Sequence, residues 1–412
     1  MNVLQRSTTR VLTLLCVMYF ITYVDRVNVS TAAIQFSKEF NLSNTQVGLL
    51  FSAFAYPYLL FQVFGGWVGD RFGPRRTLTI CSMIWAGATI LTGLSTGLVT
   101  MFIARLLLGL GEGATFPTAT RAMSNWTAAN RRGFAQGITH AFSRIGNAVT
   151  PPIVTWLMIA LSWRWSFIIL GLVSFIWAVV WGWYFRDNPR DHAKITPAEV
   201  QVLPAYVGRK ETPAVPWGAL LKRMAPVTLV YFCYGWTLWL FLTWIPQYFL
   251  HNYHMNLKNS ALFSSGVFLA GVLGDTLGGY LTDWLLARTQ NRTKARSYMV
   301  VVCNVLALAS LLPILFIHDS TIAAICLSLG FFFAEMTIGP MWAIPMDIAP
   351  KYSGTASGLM NIGSALAAIL SPVVGGKIID VTGNWDLPFI GSMGLMVVGA
   401  VFAFAMKPDQ KF

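Results

Sequence analysis

Three arginines lie inside long apolar stretches of the sequence, where a charged side chain is costly and needs a cavity or a partner. They are Arg26, Arg105 and Arg144. A guanidinium presents a planar fork of donors that matches a carboxylate, a sulfonate or a phosphate. These positions therefore predict a site that holds an anion within an apolar environment.

Arg26 shares a helix face with two tyrosines and a serine, because the spacing is i, i+4, i+7 and i+11. The four are Tyr19, Tyr23, Arg26 and Ser30. Asp25 lies about 100° further round the helix, so we expect it to face a neighbouring span. The alternative is that Arg26 and Asp25 form a structural pair that only locks helices together.

Arg105 and Glu112 are seven residues apart, on one face of the same predicted helix. A carboxylate near arginines in a membrane can change its protonation when its access to water changes, which is what proton coupling requires. The alternative is a static bridge from Arg105 to Glu112 or to Asp25. Glycines at positions 109, 111 and 113 are expected to allow close helix packing.

Ser143 and Arg144 add a third polar pair, for which two interpretations remain open. Arg144 could hold a second anionic group, or it could neutralise Asp25 or Glu112. One turn earlier, His140 is interpreted as a packing residue.

Three residues in the second half of the chain also attract attention. Asn361 is predicted to line a cavity, and Trp342 either covers a substrate or packs. Glu335 is either another protonation site or a hydrogen-bonding partner between helices.

The elements that must position these side chains are membrane spans. The chain has 412 residues, 55% hydrophobic and 11% charged, whereas soluble domains carry about a quarter charged residues. Apolar segments long enough to cross a bilayer recur twelve times. They are centred near residues 21, 56, 88, 111, 146, 175, 236, 270, 307, 333, 366 and 397. No nucleic-acid partner is expected despite the net charge of +13, because the basic residues form short clusters between apolar runs.

The distribution of positive charge predicts the orientation. With both termini cytoplasmic, 22 of the 29 lysines and arginines fall on that side, four on the other and three inside spans. A proline-rich polar stretch at mid-chain is predicted to be a cytoplasmic linker, with a short helix starting at residues 196–199. The predicted domains are residues 1–187, a linker over 188–222, and residues 223–412.

The two halves resemble each other. Residues 65–70 match 278–283 at an offset of 213, and Gly133 matches Gly354 within a second repeat at an offset of 221. The fold class is therefore an all-α membrane protein of twelve transmembrane helices in two pseudo-symmetric six-helix bundles. Duplicated halves of this kind are typical of alternating-access carriers.

The segment from residue 66 to 76 joins the second and third spans and resembles the signature loop of the major facilitator superfamily. The resemblance implies a conformational latch, in which Asp70 caps a helix N-terminus and pairs with arginines. The predicted gating residues are Gly66, Asp70, Arg71, Gly73, Arg75 and Arg76. The alternative is a solvated basic turn.

Within that superfamily the chain resembles the anion:cation symporter family of galactonate, glucarate and hexuronate carriers. The resemblance rests on residues 23–26, Tyr58, Arg105 with residues 109–113, Trp342, residues 348–351 and Asn361. It implies that Arg26, Tyr23 and Tyr58 bind the substrate carboxylate and that Trp342 and Asn361 contact the rest of the substrate. It also implies that Asp25 and Glu112 carry protons, modulated by Arg105.

One departure bears on the substrate. The sugar-acid carriers have an amide or a small polar residue near Ser143 rather than an added arginine like Arg144. A dicarboxylate, a sulfonate or an aromatic carboxylate is therefore also an expected substrate class. Exchange of phosphate esters is less favoured, because residues 227–250 lack the second arginine that organophosphate antiporters need in this span.

The predicted function is proton-coupled uptake of a small organic anion by alternating access. The alternatives are an anion exchanger or efflux carrier, and a non-transporting sensor of the same anions. No enzymatic activity and no cofactor beside the proton gradient are expected. The partners are the anion, protons and the lipid bilayer, and the protein is expected to be a monomer in the bacterial inner membrane.

Overall fold

The computed structural model describes residues 6–42, 46, 50, 53–206, 214–255, 257–317 and 319–412, and the regular structure in these ranges is helical. The first half contains α1 (Ser7–Glu39), α2 (Ala55–Phe72), α3 (Pro74–Gly93), α4 (Leu98–Gly113), α5 (Thr115–Trp126), α6 (Arg132–Ala160) and α7 (Trp163–Tyr184). A short helix, α8 (Pro197–Val202), follows. The second half contains α9 (Trp217–Asn252), α10 (Leu257–Thr289), α11 (Met299–Leu311), α12 (Ser320–Glu335), α13 (Ile338–Ile348), α14 (Ser353–Thr382) and α15 (Leu387–Ala403).

Eight helical segments in the described part of the chain are long and apolar enough to cross a membrane. They contain the predicted span centres near residues 21, 111, 175, 236, 270, 307, 333 and 366. The other four predicted centres lie in α2, α3, α6 and the shorter apolar helix α15. The all-helical membrane architecture is thus confirmed, whereas the count of twelve spans and the cytoplasmic position of the termini stay predictions.

The described surface is rich in apolar side chains, as a bilayer requires. Ile159, Trp183 and Val99 are among the most exposed large hydrophobic residues, at 80%, 71% and 70%. All five cysteines are free thiols and four are buried, as is usual for cysteines that pack as small apolar side chains.

The chain forms two compact units. The first comprises Met1–Ala129, Phe142–Ala214 and Lys351–Gly358, and the second comprises Asn130–Ala141, Val215–Pro350 and Leu359–Phe412. The predicted domain limits at residues 187 and 223 stay a prediction.

In the first unit, the three glycines of α4 let neighbouring helices approach closely, as expected. A Cβ on Gly109 would overlap the carbonyl oxygen of Phe54, and one on Gly113 would lie 2.7 Å from Cβ of Phe61. A Cβ on Gly111 would lie 2.9 Å from the carbonyl oxygen of Cys81 in α3. Because these contacts leave no room for side chains, α4 is held in register against both α2 and α3.

In the second unit, a stripe of three glycines on α10 (Gly271, Gly274 and Gly278) also lets a neighbouring helix approach closely. Cβ atoms on Gly271 and Gly274 would each lie 3.2 Å from side-chain carbons of Glu335, and one on Gly278 would overlap the carbonyl oxygen of Met336. The stripe therefore brings the end of α12 against the middle of α10.

The predicted linker helix is present as α8. Thr196 and Glu199 form a reciprocal capping box at its start. The Glu199 carboxylate also accepts hydrogen bonds at 3.0 Å from the backbone N–H and the hydroxyl of Thr8. One glutamate thus ties α8 to the first turn of α1.

Candidate functional site

Arg26 is surrounded by aromatic rings in the first unit. Its guanidinium carbon lies 4.7 Å from the ring centre of Tyr58, 4.9 Å from Tyr23, 5.0 Å from Phe54 and 5.1 Å from Phe116. Aromatic faces attract a cation, and they do so more strongly where water is excluded. The side chain is only 11% exposed, so the four rings hold a positive charge in a largely dry site.

Glu112 supplies the counter-charge. Arg26 Nε donates to Glu112 Oε2 at 2.6 Å, and the glutamate side chain is fully buried. Arg26 Nη2 and Glu112 Oε1 have no hydrogen-bond partner among the described residues. The pair is therefore incompletely satisfied, and each member retains hydrogen-bonding capacity for another ligand.

Asp25 points to a different neighbour from Arg26. Its Oδ2 accepts a hydrogen bond from Ser174 Oγ in α7 at 3.1 Å, and the residue is 2% exposed. Adjacent residues on α1 thus contact different elements, Arg26 reaching α4 and Asp25 reaching α7. No hydrogen bond or ion pair joins Asp25 to Arg26 in the described part of the chain.

Arg105 is buried beside this group without an acidic partner at ion-pair distance among the described residues. Its Nε donates to the Leu50 carbonyl at 3.4 Å, and its guanidinium carbon lies 5.3 Å from the ring centre of Phe54. Neither static bridge considered for Arg105, to Glu112 or to Asp25, is present in this structure.

Arg144 approaches the same tyrosine as Arg26. Its guanidinium carbon is 5.7 Å from the ring centre of Tyr23, and the residue is 4% exposed. A Cβ on Gly146 would lie 2.8 Å from the Phe20 carbonyl oxygen and 3.4 Å from Tyr23 Cβ. This close approach of α6 to α1 brings Arg144 to Tyr23, while the neighbouring Ser143 is fully buried.

The predicted substrate contacts of the second half belong to the second unit. Trp342 is 1% exposed, and its Nε1 donates to Tyr231 Oη at 2.7 Å. His140 lies against the same indole, with ring centres 5.1 Å apart, which agrees with a packing role. Asn361 is 5% exposed on α14.

The signature loop caps a helix through Asp70. Its two oxygens accept from the backbone N–H groups of Gly354 at 3.1 Å and Thr355 at 2.7 Å, and Arg121 lies 3.6 Å away. The first turn of α14 therefore receives a carboxylate at its positive end. A Cβ on Gly66 would overlap the carbonyl group of Gly354, so this glycine is needed for the contact.

Of the other predicted gating residues, two contact residues 182–187 and two are exposed. Arg75 donates through its backbone N–H to Asp187 at 2.8 Å and through Nε to the Gly182 carbonyl at 2.7 Å. Gly73 has φ +87°, and a Cβ there would overlap the Asp187 carboxylate. Arg71 and Arg76 are exposed.

The second copy of the motif repeats this cap in the second unit. Asp283 accepts from the backbone N–H groups of Gly133 at 3.1 Å and Phe134 at 2.7 Å, the same two distances as at Asp70. Arg296 then joins Asp283 at 2.9 Å to Asp347 at 3.2 Å. The motif in the first half of the sequence therefore caps α14, which belongs to the second half. The motif in the second half caps α6, which belongs to the first half.

Sequence reasoning missed several contributors to these sites. They are Phe54, Phe116, Ser174, Tyr231, Tyr234, Arg296 and Asp347. Phe54 stands four residues before Tyr58, and Phe116 stands four after Glu112, so a helical-face search started from the charged residues would have found both rings.

The sequence-family model described as Major Facilitator Superfamily matches this chain over residues 15–372 and 295–411. The chain is 46% identical over 409 residues to the "Probable sulfoacetate transporter SauU" of Cupriavidus necator, covering 98% of this chain and 95% of the relative. It is 30% identical to the D-galactonate transporter of Escherichia coli (100% and 98% covered) and 29% identical to the hexuronate transporter of Bacillus subtilis (92% and 90% covered).

Solved structures agree on the fold. The human organic anion transporter MFSD10 superposes with a TM-score of 0.73 over 96% of this chain and 99% of that one, at 14% identity. The fucose:proton symporter FucP of E. coli gives 0.72 over 97% and 99%, also at 14% identity. The relatives are transporters and not enzymes, and the predicted resemblance to organic anion carriers is confirmed. The chain belongs to the Major Facilitator Superfamily and is a multi-pass membrane protein.

Proposed function

We propose that this protein imports a small organic anion together with protons, and that Arg26 and Glu112 form the coupling centre. The observation that carries the proposal is the 2.6 Å contact between Arg26 Nε and Glu112 Oε2 inside an aromatic cage. A substrate anion and the Glu112 carboxylate compete for one guanidinium. Protonation of Glu112 removes its charge and releases Arg26, so proton binding and anion binding favour each other.

The neighbours of this pair have supporting roles in the proposal. Tyr23 and Tyr58 stack on Arg26 and keep its donor fork aimed while its partner changes. Asp25 is the candidate for a second proton, because it is a buried carboxylate that has no ion-pair contact with Arg26 and accepts a hydrogen bond from Ser174. Arg105 lies within the same group of rings and adds positive charge that modulates both acids.

The substrate we favour is a small dianion with two different anionic ends. Arg26 and Arg144 both lie against the ring of Tyr23, at 4.9 and 5.7 Å, so two guanidiniums share one aromatic neighbour. A single carboxylate needs only one of them. The 46% identical relative carries the name of a sulfoacetate transporter, and sulfoacetate has both a carboxylate and a sulfonate. A sulfonated carboxylate is thus the first candidate, ahead of galactonate or a hexuronate.

The remaining features are proposed from the family. Trp342 and Asn361 contact the carbon chain of the anion, and Asp70 with its loop acts as a latch during alternating access. The protein works as a monomer with twelve spans, both termini cytoplasmic, in the inner membrane. The proton gradient alone drives it, without a bound cofactor.

The test is uptake of labelled sulfoacetate into proteoliposomes with and without an inward proton gradient. We expect accumulation that requires the gradient and collapses with an uncoupler. Galactonate and acetate serve as competitors, to separate a dianion site from a general carboxylate site. Uptake that ignores both the gradient and the uncoupler would sink proton coupling while leaving the anion site intact.

The variant Arg26→Ala tests the anion site itself. The control is Arg190→Ala, which removes an exposed arginine outside the site. Loss of two charge-assisted hydrogen bonds should weaken anion binding about 100-fold, measured as the ligand-induced rise in thermal stability. If both variants bind equally well, Arg26 is structural and the proposed site is wrong.

A further inference from the structure

The second unit contains a fully buried glutamate that the proposed mechanism does not use. Glu335 is the last residue of α12 and has no exposed surface. Tyr234 Oη on α9 lies 3.0 Å from each of its two oxygens. This symmetric position suits both states of the acid, since a phenol donates to a carboxylate and can accept from a carboxylic acid. A proton can therefore arrive or leave without moving the heavy atoms.

A short aromatic path connects this acid to Trp342. Tyr231 stands one turn before Tyr234 on α9, and their rings stack with centres 5.2 Å apart. Tyr231 Oη accepts the hydrogen bond from Trp342 Nε1 at 2.7 Å, and the two rings meet at 90°. Tyr234 and Tyr231 thus form a continuous packed path from Glu335 to the indole.

Helices α9, α10 and α11 and the turn Leu312–Leu315 pack against the helix that carries Glu335. The stripe on α10 that contacts it continues into Asp275, which is also fully buried. The described side chain on α9 that contacts Glu335 is Tyr234. Helix α11 and the following turn, Leu312–Leu315, carry no acidic or basic residue in these two described segments. On α10, the acid next to this stripe is Asp275, directly after Gly274 in the sequence.

We propose that Glu335 is a further protonation site of this transporter, and that Tyr234 and Tyr231 transmit its protonation state to Trp342. The part of Glu335 in transport rests on the proton-coupled uptake proposed above. Its binding of a proton does not depend on that proposal. Ionisable residues inside membrane spans are rare, and proton relays are among the functions that they serve. The hydrogen bond between Tyr234 and Glu335 can exist in both protonation states of the acid. The proton cargo of one transport cycle then exceeds what the acids of the first unit carry.

Infrared difference spectroscopy between acidic and alkaline buffer tests the titration directly. We expect a carboxylic C=O band in the wild-type protein that is missing in Glu335→Gln and retained in Glu39→Gln, whose carboxylate is exposed beside Arg164. Gln keeps the size of the side chain and an acceptor for Tyr234 but cannot titrate. A band that survives Glu335→Gln unchanged overturns the proposal, whatever the transport data show.

Reversal potentials in proteoliposomes then count protons per anion, and Glu335→Gln should move one proton fewer than wild type. An unchanged ratio overturns the transport role. If wild-type uptake shows no proton coupling at all while the infrared band is lost in Glu335→Gln, the proposed function fails and the protonation site stands.

Tyr234→Phe tests the path to Trp342 and covers the case in which Glu335→Gln does not fold. It leaves the acid in place, so the infrared band should persist. The pH dependence of anion affinity, measured by thermal shift, should become weaker than in wild type. Retention of the full wild-type pH dependence contradicts the path.

Discussion

Arg26 Nε and Glu112 Oε2 lie 2.6 Å apart, yet each side chain keeps one buried polar atom without a hydrogen-bond partner among the described residues. A purely structural pair would be expected to satisfy its remaining lone pairs and protons, because an orphaned buried group is costly. The incomplete satisfaction suits a pair that exchanges partners during its working cycle.

Glu112→Gln should therefore separate anion binding from proton binding. The neutral amide no longer competes as a carboxylate, so affinity at alkaline pH should rise by about tenfold or more, the equivalent of one hydrogen bond to a charged group. The dependence of affinity on pH should flatten at the same time. Isothermal titration calorimetry across a pH series measures both effects. Unchanged affinity with a wild-type pH profile would show that Glu112 does not compete with the substrate.

Arg144→Gln should select against dianions. Because Arg26 remains, a monocarboxylate should bind nearly as in wild type, whereas a sulfonated carboxylate should lose about 10- to 100-fold in affinity. Competition of acetate and sulfoacetate for the same site gives the ratio in one experiment. An equal loss for both ligands would mean that Arg144 supports the site as a whole and does not read the second anionic group.

Gly66→Ala should disrupt the cap at the start of α14. Its new methyl group overlaps the Gly354 carbonyl, and overpacking of this kind costs about 1–3 kcal/mol. We expect a lower Tm and reduced uptake. Gly87→Ala is the matched control, because no atom lies within 4 Å of a Cβ at that position. Equal Tm values for the two variants would contradict the close approach of α2 to the first turn of α14.

Glu199 should make the attachment of α8 to α1 sensitive to acid. Burial alone would raise the pKa of this carboxyl, but the hydrogen bonds from Thr8 and Thr196 together hold the pKa below its ordinary value of 4.5. A depressed pKa means that the ionised form stabilises the folded state above about pH 4.5. This stabilisation disappears as the pH falls through the lower pKa of the folded protein.

Hydrogen exchange at the Thr8 amide measures this attachment. Protection should drop in acid for the wild-type protein, and Glu199→Gln should lose about 1.5–3 kcal/mol of local stability at neutral pH. Asp191→Asn, at an exposed carboxylate of the same linker, should leave the profile unchanged. Strong protection of Thr8 in Glu199→Gln would contradict the anchoring role.

Much of the architecture was predictable from the sequence because a bilayer imposes simple rules. Apolar runs of span length, the clustering of lysine and arginine, and two internal repeats predicted a helical membrane protein of duplicated halves. The linker helix was predictable for a different reason, because the capping box at Thr196 is a local interaction between residues three apart. Rare charges at membrane depth also identified Arg26 and Glu112 as functional candidates, because a lipid environment makes each of them costly.

The partners of those charges could not be predicted, because they depend on where distant helices touch. The sequence alone offered Arg105 as a partner for Glu112, seven residues away on the same helix face, whereas the structure pairs Glu112 with Arg26, 86 residues earlier in the chain. The repeats indicated that Asp70 and Asp283 are equivalent, but only the tertiary structure decided which helix each one caps. Periodicity defines the face of a helix on which a side chain lies, and it is the packing of glycine-lined surfaces that decides what that face meets.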